Sequence, residues 1–208
     1  MIIHRKLCVN WGCNTRVDCL DEEVLGWMSD SGCFLLALGI ESGNQEILDK
    51  INKGITLDKI RSGIALCKKY KMKLSTYFII GFPWDNRETV NNTVKFAREL
   101  KSDFTEFIVP YPLAGTEFYD IARQHNLFKE DELLSKGIFI RSCIHTFSLS
   151  RDELTKLRNN ALLKVYFNPA YIFMMLGKME SLSMVGNYML RGLQKIWYII
   201  KHNLQKSC

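Results

Sequence analysis

The feature that most constrains this sequence is an alternation that recurs through its first 125 residues. A short run of apolar and β-branched residues meets a turn of glycine, proline or polar residues, and a helical pattern follows. Residues 33–40 (CFLLALGI) are almost wholly apolar and end in Glu41-Ser42-Gly43. A continuous run of this kind suits a central strand of a parallel sheet, buried on both faces. Residues 73–80 repeat the pattern and stop at Gly81-Phe82-Pro83, and residues 104–109 stop at Pro110-Tyr111-Pro112. Residues 7–10 are a shorter apolar run and read as the first strand.

The intervening stretches have helical spacing. Asp21 stands as an N-cap before Val24, Leu25, Trp27 and Met28, and Ser31-Gly32 breaks the pattern. Ile47, Leu48 and Ile51 follow, and then Thr56 opens a helix through Ile60, Ile64 and Cys67. Residues 86–100 and 116–125 complete the set. Strands and helices in strict alternation imply an α/β fold of parallel strands joined by right-handed crossovers. Ligand sites of such folds lie at the carboxyl ends of the strands, where these polar and glycine-bearing turns fall.

The pattern changes near Asn126. Few periodic features appear before Leu149, apart from a short β-like run at 137–140. Ser150-Arg151-Asp152-Glu153 then reads as a serine N-cap with acids in the first turn of a helix that ends at Asn168-Pro169. Two more helices are expected, at 169–176 and 181–203, the second with Met184, Tyr188, Leu193, Trp197 and Ile200 on one stripe. The division expected is a core at 1–127, a connecting segment at 128–149 and a helical appendage at 150–208.

Composition narrows the function classes. With 208 residues, 47% hydrophobic and 24% charged, the chain is neither disordered nor low-complexity and can bury a core. No apolar run is long enough for a membrane span, and the first residues lack a signal peptide's apolar stretch. Seven cysteines, an odd number with no C-x-x-C pair, read as free thiols in a reducing, cytoplasmic setting. The net charge of +6 collects at Lys68, Lys69, Lys71 and Lys73 and in a tail without an acid after Glu180. A solvated helix face accounts for this tail, with peripheral contact to anionic lipid as the alternative. No nucleic-acid motif accompanies it. The four histidines have no metal spacing, and there is no P-loop, G-x-S-x-G or G-x-G-x-x-G.

The candidates for chemistry sit beside the strand ends. Glu41 follows the longest apolar run, and a carboxylate there is costly to bury unpaired, so it should face a ligand, a cation or solvent. Ser42 and Gly43 let backbone approach a ligand; equally, Ser42 and Asn44 can cap the next helix. Lys53, before Gly54, can swing toward a carboxylate or phosphate, or lie on the surface. Arg16 and Asp18 can form a pair.

In order along the chain, WGCNTRVD at 11–18, SGC at 31–33, GIESG at 39–43, NKGIT at 52–56, IIGFP at 79–83 with Glu88-Thr89, and PYPLAGT at 110–116 with Tyr119-Asp120 resemble the second half of a radical S-adenosylmethionine (SAM) core. The helical tail, including YFNP at 166–169, is similar to that of the cobalamin-binding branch. The resemblance implies a partial TIM-type (β/α) barrel, here of about four βα units, truncated at the N-terminus and followed by an all-α appendage. It implies a [4Fe–4S] cluster whose open iron binds SAM, and reductive cleavage of SAM to a 5′-deoxyadenosyl radical. By position, Glu41 and Ser42 would contact the ribose or methionine of SAM and Lys53 its carboxylate. Asn14 and Arg16 would lie near the methionine end. Ile79, Gly81, Val109 and Pro110 would approach the adenine.

The sequence also departs from the family. The C-x-x-x-C-x-x-C loop that holds the cluster is absent, and so are the first two βα units. The expectation is a fragment of a radical SAM enzyme, carrying the SAM-contacting half, with the cluster and a cobalamin domain outside it. Its substrate would be a small molecule of unread identity. The alternative is a non-catalytic binding module derived from a half barrel. In either case a sheet edge would be left for the missing half or a partner chain to cover.

Overall fold

The computed structural model describes residues 2–129 and 142–178. Four parallel strands stand in the order of the sequence: β1 (Trp11–Thr15), β2 (Cys33–Glu41), β3 (Lys73–Ile79) and β4 (Phe104–Ile108). Helices α1 (Glu22–Asp30), α2 (Gln45–Lys50), α3 (Leu57–Lys69) and α4 (Arg87–Leu100) make the crossovers. After β4 come α5 (Glu117–Gln124), α6 (Arg151–Tyr166) and α7 (Pro169–Leu176). The expected strand at 137–140 and helix at 181–203 lie outside the described residues.

The helices start where their caps stand. Asp21, Asn44, Thr56 and Thr116 each accept a hydrogen bond from the amide three residues on. Ser150 and Glu153 cap α6 reciprocally. Each such cap satisfies amides that the helix itself cannot, at about 1 kcal/mol.

The first strand is not at 7–10 but at Trp11–Thr15. The chain turns at 2–6, with Lys6 at φ 53°, and leaves Leu7 and Val9 exposed. Pairing starts only at Trp11, whose amide donates to the Gly32 carbonyl and which registers with Cys33. The extent of β2, rather than the local apolar run, sets where β1 begins.

β2 is central but is not buried on both faces. Leu36, Leu38 and Ile40 are fully buried, and the alternate residues Ala37, Gly39 and Glu41 are half-buried. Leu74, Thr76 and Phe78 of β3 and Thr105 and Phe107 of β4 are likewise buried, and in β3 Ser75 is buried as well. The helices cover this buried face, where Phe78 stacks on Phe107 and Ile60, Ile64, Val94 and Ala97 pack. The other face carries Asn14, Gly39, Glu41, Tyr77, Ile79 and Glu106 and stays open.

The two sheet edges differ. Along β4, α6 does the work of a neighbouring strand: Tyr166 Oη accepts from the Thr105 amide at 3.1 Å and donates to its carbonyl at 2.8 Å, and Arg158 Nε donates to the Phe107 carbonyl at 2.8 Å. Leu154, Ala161, Leu162 and Val165 of α6 belong to the same core as the sheet. Among the described residues, β1 has a strand neighbour on one side only. Among them too, no helix is long and apolar enough to cross a membrane.

Candidate functional site

The open face and the carboxyl ends of β1–β4 gather most of the sequence-singled residues. At the end of β2 the ladder skips from Gly39–Tyr77 to Glu41–Phe78, so Ile40 is bulged. Glu41 takes φ 69°, a left-handed conformation that non-glycine residues adopt at a cost and that recurs at functional sites. A bulge re-aims the side chain that follows it. The Glu41 carboxylate folds back over the strand and meets Lys53 Nζ at 2.8 Å. Both side chains are largely enclosed, at 20% and 14% exposure, which makes this pair stronger than a surface one.

Gly39 makes room for the pair. A Cβ at this position would stand 2.5 Å from Glu41 Oε1 and 3.5 Å from Lys53 Nζ. The loop that brings Lys53 here is held by α2. The Lys53 amide donates to the Leu48 carbonyl at 3.0 Å, and Gln45 donates to the Ile55 carbonyl and accepts from the Leu57 amide. Asn52 and Gly54, on either side, both have positive φ.

Arg16 extends the cluster. It pairs with Asp18 through both carboxylate oxygens, at 3.0 and 2.8 Å, and donates to the Lys53 carbonyl at 2.8 Å. The guanidinium holds the Asp18 carboxyl below its ordinary range, against the opposing effect of burial. Asn14 lies one strand over from Ala37, exposed on the open face.

Ser42 goes elsewhere. It is 1% exposed, and its hydroxyl meets Thr93 Oγ1 at 3.2 Å and accepts from the Asn44 amide. A Cβ on Gly43 would strike α4, 2.5 Å from Phe96 Cβ and 2.7 Å from Thr93 Cα. The Ser42-Gly43-Asn44 turn thus seats α2 against α4, and Asn44 caps α2. Of the two roles open in the sequence, the capping and packing one is what these side chains perform.

The turns after β3 and β4 meet. Gly81 has φ 123°, and its Cβ position is 3.0 Å from Pro110 Cδ. Val109 and Pro110 are buried behind this contact, and Ile79 is half-buried on the open face. Asp85 organises the first turn: its Oδ2 accepts from the amides of Gly81 at 2.9 Å and Phe82 at 3.0 Å, and its Oδ1 accepts from Thr89 Oγ1 at 2.7 Å. Burial pushes this carboxyl above its ordinary range, and the three donors oppose the shift.

The radical SAM superfamily model matches residues 9–97, the stretch that builds β1 to α4 and carries Glu41, Lys53 and Gly81. Over this stretch the chain carries a radical SAM domain. An uncharacterized methyltransferase, PH0819 of Pyrococcus horikoshii, is 29% identical over 92% of this chain and 41% of its own length. The anaerobic magnesium-protoporphyrin IX monomethyl ester cyclase of Rubrivivax gelatinosus is 28% identical over 82% of this chain and 31% of its own. The chain therefore spans about two fifths or less of these two curated relatives. The cobalamin-dependent radical enzyme OxsB shares the fold, with a TM-score of 0.60, 12% identity, and coverage of 93% of this chain and 34% of that one.

The residues present fit the two groups of the superfamily unequally. Among the described residues, no three of Cys, His, Asp and Glu converge on a metal position. Cys8 and Cys19 are exposed, and Cys33 and Cys67 are buried in the core. Among the described residues, these positions do not fit a [4Fe–4S] cluster, whose thiolate ligands would have to converge. The carboxyl-end cluster does suit SAM. Over a side-chain-free Gly39 it offers an ammonium, a guanidinium and a carboxylate, groups that complement a charged amino acid and ribose hydroxyls.

Sequence reading missed Asp85, Gln45, Tyr77 and Glu106. Tyr77 and Glu106 stand in register on the open face. A period-2 reading of β3 and β4 would have found them, because each lies between two inward residues.

Proposed function

We propose that this chain supplies the SAM-contacting side of a radical SAM active site. The observation that carries the reading is the Glu41–Lys53 pair, held by a bulge and a left-handed residue over Gly39 at the carboxyl end of β2. Such strain and enclosure are what a preorganised site requires.

Lys53 and Arg16 would take the carboxylate of SAM, and Glu41 would take its ribose hydroxyls or ammonium. Asn14 would border the methionine end. Ile79 and Val109 would give apolar contact to the adenine beside the Gly81 and Pro110 turns. Ser42 serves indirectly, by seating the turn that follows Glu41. In this superfamily SAM supplies a 5′-deoxyadenosyl radical on reductive cleavage; the part left to these residues is to bind, orient and exclude water.

The cluster ligands are assigned to polypeptide outside the described residues. The open edge of β1 is where a further strand, or a partner chain, would join the sheet. For the whole protein we infer radical chemistry of the methyl-transfer kind with cobalamin. The methyltransferase name of the Pyrococcus relative and the cobalamin-dependent fold neighbour support that reading. The substrate would face Tyr77 and Glu106 on the open face.

Equilibrium dialysis of the 208-residue chain with radiolabelled SAM tests the core of the proposal. Saturable 1:1 binding is expected, weakened about tenfold or more by Lys53→Ala, as for loss of a charge-assisted contact. Equal binding by wild type and Lys53→Ala would overturn it.

A further inference from the structure

The amino ends of β3 and β4, opposite the Glu41–Lys53 site, carry a different set of residues. α4 ends at Leu100, Lys101 takes φ 47°, and Ser102-Asp103 lead into β4. α7 is fastened over this point. Tyr171 Oη donates to the Asp103 carbonyl at 2.7 Å, and Lys178 Nζ donates to its carboxylate at 2.6 Å. Between α4 and α7 opens a cavity of about 190 Å³, lined among others by Arg98, Lys101, Ser102, Val165 and Met174. Ser102 is 1% exposed, and its hydroxyl has no hydrogen-bond partner. A buried hydroxyl left unpaired is costly, and it marks a place where a polar group from outside completes the bond.

Positive charge gathers at the same end. Lys71, Lys73, Arg98 and Lys101 are exposed, and none has a carboxylate partner among the described residues. The acids nearby are engaged: Asp103 by Lys178 and the Leu74 amide, Glu99 by Arg61, and Glu22 by Lys69. Burial pushes the Lys68 ammonium below its ordinary value, and the charges of Lys178 and Lys101 add to the shift against the opposing Asp103.

Exposed apolar surface lies beside these cations. Ile172, Phe173 and Leu176 of α7 fall within about 100° of arc, away from the cavity-lining Tyr171 and Met174. All three are exposed, Phe173 to 74%, as is Phe167 just before the helix. Beyond α7 the sequence continues through Arg191, Lys195, Lys201 and Lys206 with no acid after Glu180. Aromatic and aliphatic side chains rimmed by cations are the chemistry of a segment that rests in the headgroup layer of an anionic membrane. Among the described residues no helix is long and apolar enough to cross one, so such contact is peripheral.

We propose that this end of the fold docks on an anionic bilayer. Phe173 and its apolar neighbours enter the headgroup layer, and the cavity over Ser102 seats a lipid phosphate beside Arg98 and Lys101. Docking at the amino ends of the strands leaves their carboxyl ends turned away from the lipid.

Flotation of the 208-residue chain with vesicles tests this, comparing phosphatidylcholine alone with a mixture containing about 30% phosphatidylglycerol. Partition onto the anionic vesicles is expected to be about tenfold stronger at low salt, and the difference should vanish at about 0.5 M salt. Phe173→Asp should weaken it about tenfold or more, and Arg98→Glu with Lys101→Glu about twentyfold or more. These side chains are exposed, so the variants should keep the wild-type urea midpoint. Ser102→Ala removes only an unpaired hydroxyl and should weaken the anionic partition about threefold. Wild-type partition by Ser102→Ala overturns the phosphate seat. Equal partition onto both vesicles, or anionic partition that Phe173→Asp and the charge reversals leave unchanged, overturns the docking face. A chain that binds neither vesicle overturns it too, the face then being covered by residues 179–208 or by a second copy.

Discussion

The Lys53 ammonium lies 2.8 Å from the Glu41 carboxylate, and the two lie above a residue with no side chain, Gly39. This arrangement joins a loop and a strand end that are a helix apart in sequence. It depends on three local conditions at once: a bulge at Ile40, a left-handed Glu41 and an open position at 39.

Gly39→Ala separates the site from the fold. The added methyl would meet the tip of a flexible glutamate, which can move away, so the urea midpoint should shift by no more than about 1 kcal/mol in stability. The displaced carboxylate would no longer sit on Lys53, and adenosyl-ligand affinity should fall about fivefold or more. A variant that binds as well as wild type would show that the ion pair has no part in binding.

Acid should loosen the Arg16–Asp18 end of the cluster. Arg16 holds the Asp18 carboxyl below its ordinary value, so the stabilisation is fully present above the unfolded carboxylate range, near pH 4. It is lost as pH falls from there through the depressed folded value. Urea midpoints of wild type and Asp18→Asn should differ by a constant amount between pH 5 and 7 and converge below about pH 4. A gap that widens on acidification would contradict the pairing.

Thiol labelling should follow burial. Burial pushes the Cys67 thiol up to about 11, and those of Cys33 and Cys143 upward too. At neutral pH iodoacetamide should modify Cys8 and Cys19 of the folded chain and reach Cys33 and Cys67 only in denaturant, as peptide mapping would show.

Tyr166→Phe tests the covered sheet edge. It removes one donor and one acceptor from Thr105, so stability should fall by about 1–3 kcal/mol in urea titration. Ligand affinity should be unchanged, because β4 is held here at its outer edge and not at its carboxyl end.

The alternation of strands and helices was legible because apolar runs, caps and Gly/Pro turns are local signals. Asp21, Thr56 and Ser150 each announce a helix within four residues. The start of β1 was not legible, since 7–10 is as apolar as a strand and only the partner β2 decides where pairing begins. Arg16, Glu41 and Lys53 were each visible as candidates. Their contact was not, because it needs the Asn52–Gly54 reversal and the bulge to bring them together. Asp85 reads as an ordinary turn aspartate. Its burial comes from the segment before α6, some sixty residues on. Ser42 shows the opposite case, a strand-end hydroxyl in a suggestive motif that packing against Thr93 withdraws from the open face.

The central claim is that the carboxyl ends of β1 to β4 bind SAM. It is tested most directly by amide chemical shifts of the isotope-labelled 208-residue chain titrated with SAM. Saturable shifts are expected at Asn14, Arg16, Glu41, Lys53, Gly81 and Val109, with little change along α3 or the outer edge of β4. Shifts concentrated away from these strand ends, or none at saturating ligand, would contradict the claim.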